Sequence, residues 1–134
     1  MSFEDTRNAI ESRLKANWTV TPIKFQNVPF QETAEPYVAL FILDGEGSQI
    51  SLGTPAVRRW PAVIKIQVFV PEDSGTKQAR TYADSLGAIF DRAQFSAGSS
   101  GTIRCRIPSI ADIGVTDGWD QVNVTIPCMR DKQY

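Results

Sequence analysis

An α+β fold is the class this sequence predicts, and three observations predict it. Two charged segments, near the start and in the middle, place apolar residues at helical spacing. One run, Tyr37 to Leu43, is apolar at every position, and residues 62 to 70 alternate between a fully apolar face and a mixed one, as strands do. At 134 residues, the chain is expected to be a single domain (1–134) that buries roughly two thirds of the surface exposed when unfolded.

Each element follows from local chemistry. Ser2 is a suitable N-cap with Asp5 three residues on, and Phe3, Ile10 and Leu14 recur on one face of EDTRNAIESRLKAN, an amphipathic helix. It ends before TVTPIKF, where β-branched residues favour extended backbone and Pro22 cannot continue a helix. NVPFQETAEP reads as a loop. The apolar run YVALFIL cannot be a strand with one wetted face, so it is either central in a two-layer fold or meets another subunit.

After a glycine-containing connection, Ala62, Ile64, Ile66, Val68 and Val70 form the apolar face of a strand that Pro71 stops. EDSG turns the chain, and Ser74 or Thr76 caps a second helix of about 18 residues whose stripe is Ala79, Tyr82, Ala83, Leu86, Ile89, Phe90 and Ala93. SAGSSG is a loop by composition.

The last third returns to strands: TIRCRI, a short piece from Ile110 to Val115, and WDQVNVTIP. Asp117-Gly118 is a two-residue hairpin signal. Closing that turn on Thr116 and Trp119 places Ile113 opposite Val122 and points Val122, Val124 and Ile126 inward. Residues 129–134, MRDKQY, are expected to be a frayed polar tail. Cys105 shares parity with Ile103 and Ile107, and Cys128 with Val124 and Ile126, so both thiols are expected to face the core. A disulfide requires those strands to be neighbours, and a reducing compartment opposes it.

Fourteen basic and fifteen acidic residues leave a net charge of -1, without a global signature for nucleic acid or an anionic membrane. The start lacks the basic-then-apolar order of a signal peptide, which predicts synthesis and residence in a cytoplasm. With no histidine, imidazole-based nucleophilic and metal sites are excluded, and two cysteines without CxxC spacing do not make a zinc site. The carboxylates are scattered couples at helix starts and turns. A carboxylate enzyme would require Asp44, Asp117 or Asp120 to converge. Gly45-Glu46-Gly47 lacks the third glycine and the Gly-Lys-Ser/Thr of phosphate loops, and Glu46 would repel a phosphate. Arg58-Arg59-Trp60 has three open readings: the start of a strand with solvated arginines, a protein interface, or a nucleic-acid contact. Arg104 and Arg106 share a solvated or ion-paired sheet face, and Tyr37 and Trp119 read as packing residues.

The order of IESRL, TPIKFQNVPF, PYVALFIL, the arginine-bearing connection, IKIQVFVPEDSGTKQAR, ADSLGAIF and DGWDQVNVTIPC covers nearly the whole chain. It resembles the tail terminators, or tail completion proteins, of long-tailed siphovirus-type phages, including the phage-related domain family of unknown function. Cys128 stands where the family pattern has an aromatic, and MRDKQY replaces an acidic-aromatic ending. The resemblance implies a mixed, largely antiparallel sheet with two main helices packed on it. It also implies a structural protein without catalytic, cofactor or metal residues. Such proteins form a hexameric ring at the head-proximal end of the tail tube, made in the host bacterial cytoplasm and carried in the virion tail. The implied partners are other copies of the chain, the tail tube protein and the head–tail connector or neck protein. No membrane and no specific nucleic acid are expected. Residues 44–59 are expected to be a mobile arm, and the candidate protein-contact residues are Gly45, Glu46, Gly47, Leu52, Arg58, Arg59, Trp60 and Trp119. The alternatives are another neck or tube protein of similar fold, or a small nucleic-acid-binding module.

Overall fold

Alternation over two long runs organises the molecule. In a computed structural model that describes residues 2–25, 36–49, 52, 56–71, 76–97, 101–116 and 118–133, the element order is α1 (Ser2–Asn17), β1 (Ile23–Lys24), β2 (Tyr37–Asp44), β3 (Ser48–Gln49), β4 (Val57–Pro71), α2 (Thr76–Phe90), β5 (Gln94–Ser96), β6 (Thr102–Cys105), β7 (Ser109–Thr116) and β8 (Trp119–Gln133). The eight strands form one sheet in the order β1-β2-β4-β8-β6-β5, with β3 added to β4 and β7 to β8. Only β1–β2 is parallel; every other described pairing is antiparallel. This is the mixed, largely antiparallel α+β fold that the sequence predicts.

Strands β4 and β8 pair from Val57↔Gln133 to Pro71↔Trp119. Even-numbered residues of both point to one face, here called inner. Ile64, Ile66, Val68, Val122, Val124 and Ile126 are buried there with Val38 and Leu40 of β2. Against them pack Ile10 and Leu14 of α1 and Ala79, Ala83, Leu86 and Phe90 of α2, in one continuous cluster. Hydrophobic transfer from water is the main force holding these layers together. Two aromatic and polar links join the helices. Trp18, just after α1, meets Tyr82 of α2 edge-on at 5.5 Å, and Arg13 Nε donates to the Ile89 carbonyl at 2.9 Å.

Pro127 marks a change of neighbour in β8. Residues 119–125 of β8 pair with β7 and residues 128–131 with β6. A missing N–H therefore breaks no ladder at Pro127, while its carbonyl accepts from Arg106 N at 2.8 Å.

Several expectations change. Ile113 does not oppose Val122: Asp112 does, and the register shifts between Asp112 and Gly114. Asp112 Oδ1 accepts from Gly114 N at 3.1 Å and Gly114 has φ +97°, so a local bulge absorbs one residue and turns Ile113 outward. The Thr116↔Trp119 closure is present, with Gly118 at φ +81°; Asp117 lies outside the described residues. Ile107 is exposed rather than core-facing, because β6 ends at Cys105 and its parity goes no further. Met129–Gln133, read as tail, continue β8 along β4, and Met129 to Asp131 also pair with β6. Helix α2 spans 15 residues, and β5 had no sequence counterpart. Most of the loop NVPFQETAEP, the EDSG turn and part of SAGSSG lie outside the described residues.

Candidate protein interface

Beyond Ala62 the paired strands β4 and β8 leave the apolar core, and the side chains change character. On the inner face Trp60 is opposite Arg130, whose guanidinium lies 4.2 Å from the indole centroid. Arg130 is only 2% exposed, an unusual depth for a cation, and its place over the Trp60 ring is one compensation for its lost hydration. Gly47 also lies against the Trp60 side chain: a Cβ there would overlap the indole. Arg58 and Lys132 are register partners on the same face. Gly47, Ser48, Gln49, Arg58 and Trp60 line a shallow open depression.

The outer face of the same segment is ionic. Arg59 Nε and Nη2 donate to the two oxygens of Asp131 at 2.8 and 2.9 Å, and Arg104 Nη1 adds a contact to Asp131 Oδ2 at 3.2 Å. The hydrogen bond from Arg59, aided by the charges of Arg59 and Arg104, holds the Asp131 carboxyl below its usual range; the same bond raises the Arg59 guanidinium. Asp44, at the end of β2, is shifted the other way. Burial raises its carboxyl and the positive charge of Arg130 opposes that shift.

The structure thus brings Gly45, Gly47, Arg58, Arg59 and Trp60 together, with Gly45 N donating to the Pro61 carbonyl at 2.8 Å. Glu46 is exposed between the two glycines, and Leu52 is 93% exposed. Trp119 belongs to the opposite end. It pairs with Pro71, eleven residues along β4 from Trp60, or about 36 Å at strand rise. There it meets Tyr37 edge-on at 5.4 Å, while Tyr37 stacks on Phe69 at 4.9 Å. The packing reading of Tyr37 and Trp119 holds.

Alternation also bears on nucleic acid. Arg59 and Trp60 point to opposite faces, and Arg59 is already held by a carboxylate, so Arg59 is not a phosphate ligand beside the indole; Arg58 is the arginine that shares the Trp60 face and lines the same depression. Asp44 and Asp120 do not converge, since their partners Ala62 and Val70 are eight residues apart on β4, about 26 Å. Among the described residues no group of three or more His, Cys, Asp or Glu could hold a metal ion, and no helix is long and apolar enough to cross a membrane.

Two features escaped the sequence reading. Arg130 and Asp131 fell in the supposed tail, although Arg130 continues the inward parity of Val122 to Cys128. The second is β7. Ile110, Ile113 and Val115 are 46%, 50% and 55% exposed, and among the described residues β7 pairs with β8 alone. Its own bulge hid this from a parity count.

A family model described as phage tail terminator protein matches residues 5–128. No curated protein matches the chain. One solved structure, known by a reference number alone, has a TM-score of 0.77 at 23% identity and covers 100% of this chain and 98% of its own. A chain from the virion of a native gene transfer agent particle has a TM-score of 0.54 at 16% identity, covering 96% of this chain and 94% of that one. At these identities the structural likenesses establish the fold.

Proposed function

The chain belongs to the phage tail terminator family, a structural protein of the phage tail, and from that premise we propose that it caps the head-proximal end of the tail tube as a ring. In this reading six copies close on one another, stop tube polymerisation and offer the surface that a neck protein joins. The observation that carries it is the edge strand β7. An eight-residue strand with large apolar side chains turned to water and, among the described residues, a second backbone edge that pairs with no other strand is a liability in a solitary protein and an asset in an assembly. Like copies meeting head to tail through such an edge close into a ring when the rotation permits.

The other contact surface is the ionic and aromatic end of β4 and β8. The arm of residues 44–59 is rooted there at both ends, Asp44 in β2 and Val57 to Arg59 in β4. We assign it to docking against the neighbouring ring subunit or the last ring of the tube. Coupling that docking to a finished tube end makes capping conditional on it.

Electron microscopy of concentrated protein tests the reading. Closed rings are expected; filaments would instead mark a tube subunit. Replacing Arg59 and Trp60 together by alanine is expected to impair assembly while the monomer stays folded, and amide exchange at residues 44–59 is expected to slow on assembly. Unchanged exchange in the assembled form would remove the arm from the interface.

A further inference from the structure

Cys105 and Cys128 are direct register partners across β6 and β8, and both thiols are free and buried. The hydrogen bonds around them define the type of pair. Arg106 N donates to the Pro127 carbonyl at 2.8 Å, and Cys105 N points away from β8 to the Ala93 carbonyl at 2.8 Å. The cysteines therefore occupy a non-hydrogen-bonded site of the antiparallel ladder, where Cα atoms approach to about 4.5 Å and side chains lie closest. That separation falls inside the range a disulfide accepts.

We propose that Cys105 and Cys128 form a modification site, an intramolecular cross-strand disulfide that closes when the protein meets a small disulfide oxidant such as oxidised glutathione. The Cys105 thiolate attacks one sulfur of the oxidant, releasing one small thiol and leaving a mixed disulfide on Cys105. The Cys128 thiolate then attacks the Cys105 sulfur and displaces the second small thiol. Two protein thiols are oxidised, one disulfide is reduced, and the two protons end on the released thiols. Cys105 is the first nucleophile because Cys128 donates a hydrogen bond to it and Arg13 adds positive charge, which together hold its thiol below the usual range. The same bond and burial push Cys128 up.

The crosslink ties β6 to β8 two residues before Arg130 and three before Asp131, the residues that hold Trp60 and Arg59. Its consequence rests on the capping reading: assembly in a reducing cytoplasm leaves the thiols free, and a released particle meets an oxidising medium that fixes this end of the sheet.

The test uses the isolated full chain, so it is independent of ring formation. Folded protein is incubated with oxidised glutathione, then its free thiols are alkylated and its intact mass measured without reductant. The expected result is a monomer lighter by about 2 Da that takes up no alkylating agent, with an unfolding midpoint higher by about 5–10 °C. Cys105→Ser is expected to keep Cys128 free and to abolish the shift. Two thiols still free in the folded chain under conditions that oxidise the denatured chain, or crosslinks only between chains, would overturn the proposal.

Discussion

Strands β4 and β8 lie side by side along their whole lengths, yet their two halves behave as different materials. From Ala62 to Val70 the inner face is aliphatic and roofed by α1 and α2, and almost nothing there touches water. From Val57 to Pro61 the same ladder carries Trp60 over Arg130 on one side and Arg59 clamped to Asp131 on the other. The first half holds the fold through non-directional burial. The second uses directional, partly wetted contacts, the kind that a partner surface can extend or replace. Backbone pairing makes the molecule continuous; side-chain chemistry divides it into an aliphatic part that holds the fold and an ionic and aromatic part that we propose meets partners.

Substitutions can break that division or sharpen it. Ile66 is fully buried between the layers, so Ile66→Ala is expected to cost about 2–5 kcal/mol, read as a lower midpoint in a denaturant titration. Ring formation should then fail only as far as the fold fails. Asp131→Asn is expected to lower stability less at neutral pH, and its effect should depend on acid. Because the folded carboxyl lies below its unfolded value of about 3.9, its contribution is complete above that value and lost as pH falls through the folded one. Melting curves between pH 7 and pH 2 should show the wild type and Asp131→Asn converging at the acid end.

Gly47→Ala is expected to shift the thermal midpoint little and to reduce assembly strongly, because the added methyl displaces the Trp60 indole without entering the core. Mass measurement of the variant beside wild type checks it. The smallest effect runs in the opposite direction. Burial raises the folded Asp44 carboxyl, so ionisation there is opposed by the native state, and Asp44→Asn is expected to stabilise slightly at pH 7. Below about pH 4, where both folded and unfolded carboxyls hold their protons, that gain should vanish. Melting curves at the two pH values read it.

This division also explains how much of the molecule could be read before its structure was known. The roofed half is written in periodicity: Ile64, Ile66 and Val68 alternate, Ala79, Ala83, Leu86 and Phe90 recur on a helix, and burial follows both patterns. The other half obeys pairings that no local rule contains. Arg130 follows the inward parity of Val122 to Cys128, but its charge argued for solvent, and the ring that covers it belongs to Trp60, seventy residues earlier in the chain. Asp131 is ordered because two arginines from β4 and β6 reach it. Ile113 was misplaced because one glycine and one aspartate insert a bulge that shifts the strand by a residue. The candidate contact residues Gly45 to Trp60 are legible as an unusual composition, whereas the place of Trp119 at the far end of the same ladder is not, because side-chain type says nothing about where a strand ends. The terminator resemblance was carried by the order of elements, which the family match supports, and not by any one residue.

The central claim is that this protein acts through assembly at the open end of its sheet and along β7. The most direct measurement is its mass in solution, alone and with the matching tail tube protein, for wild type and for the Arg59→Ala, Trp60→Ala double variant. The account predicts a ring-sized species that gains mass with the tube protein and is depleted in the double variant, although that variant remains folded. A wild-type chain that stays monomeric beside its own tube protein would contradict it.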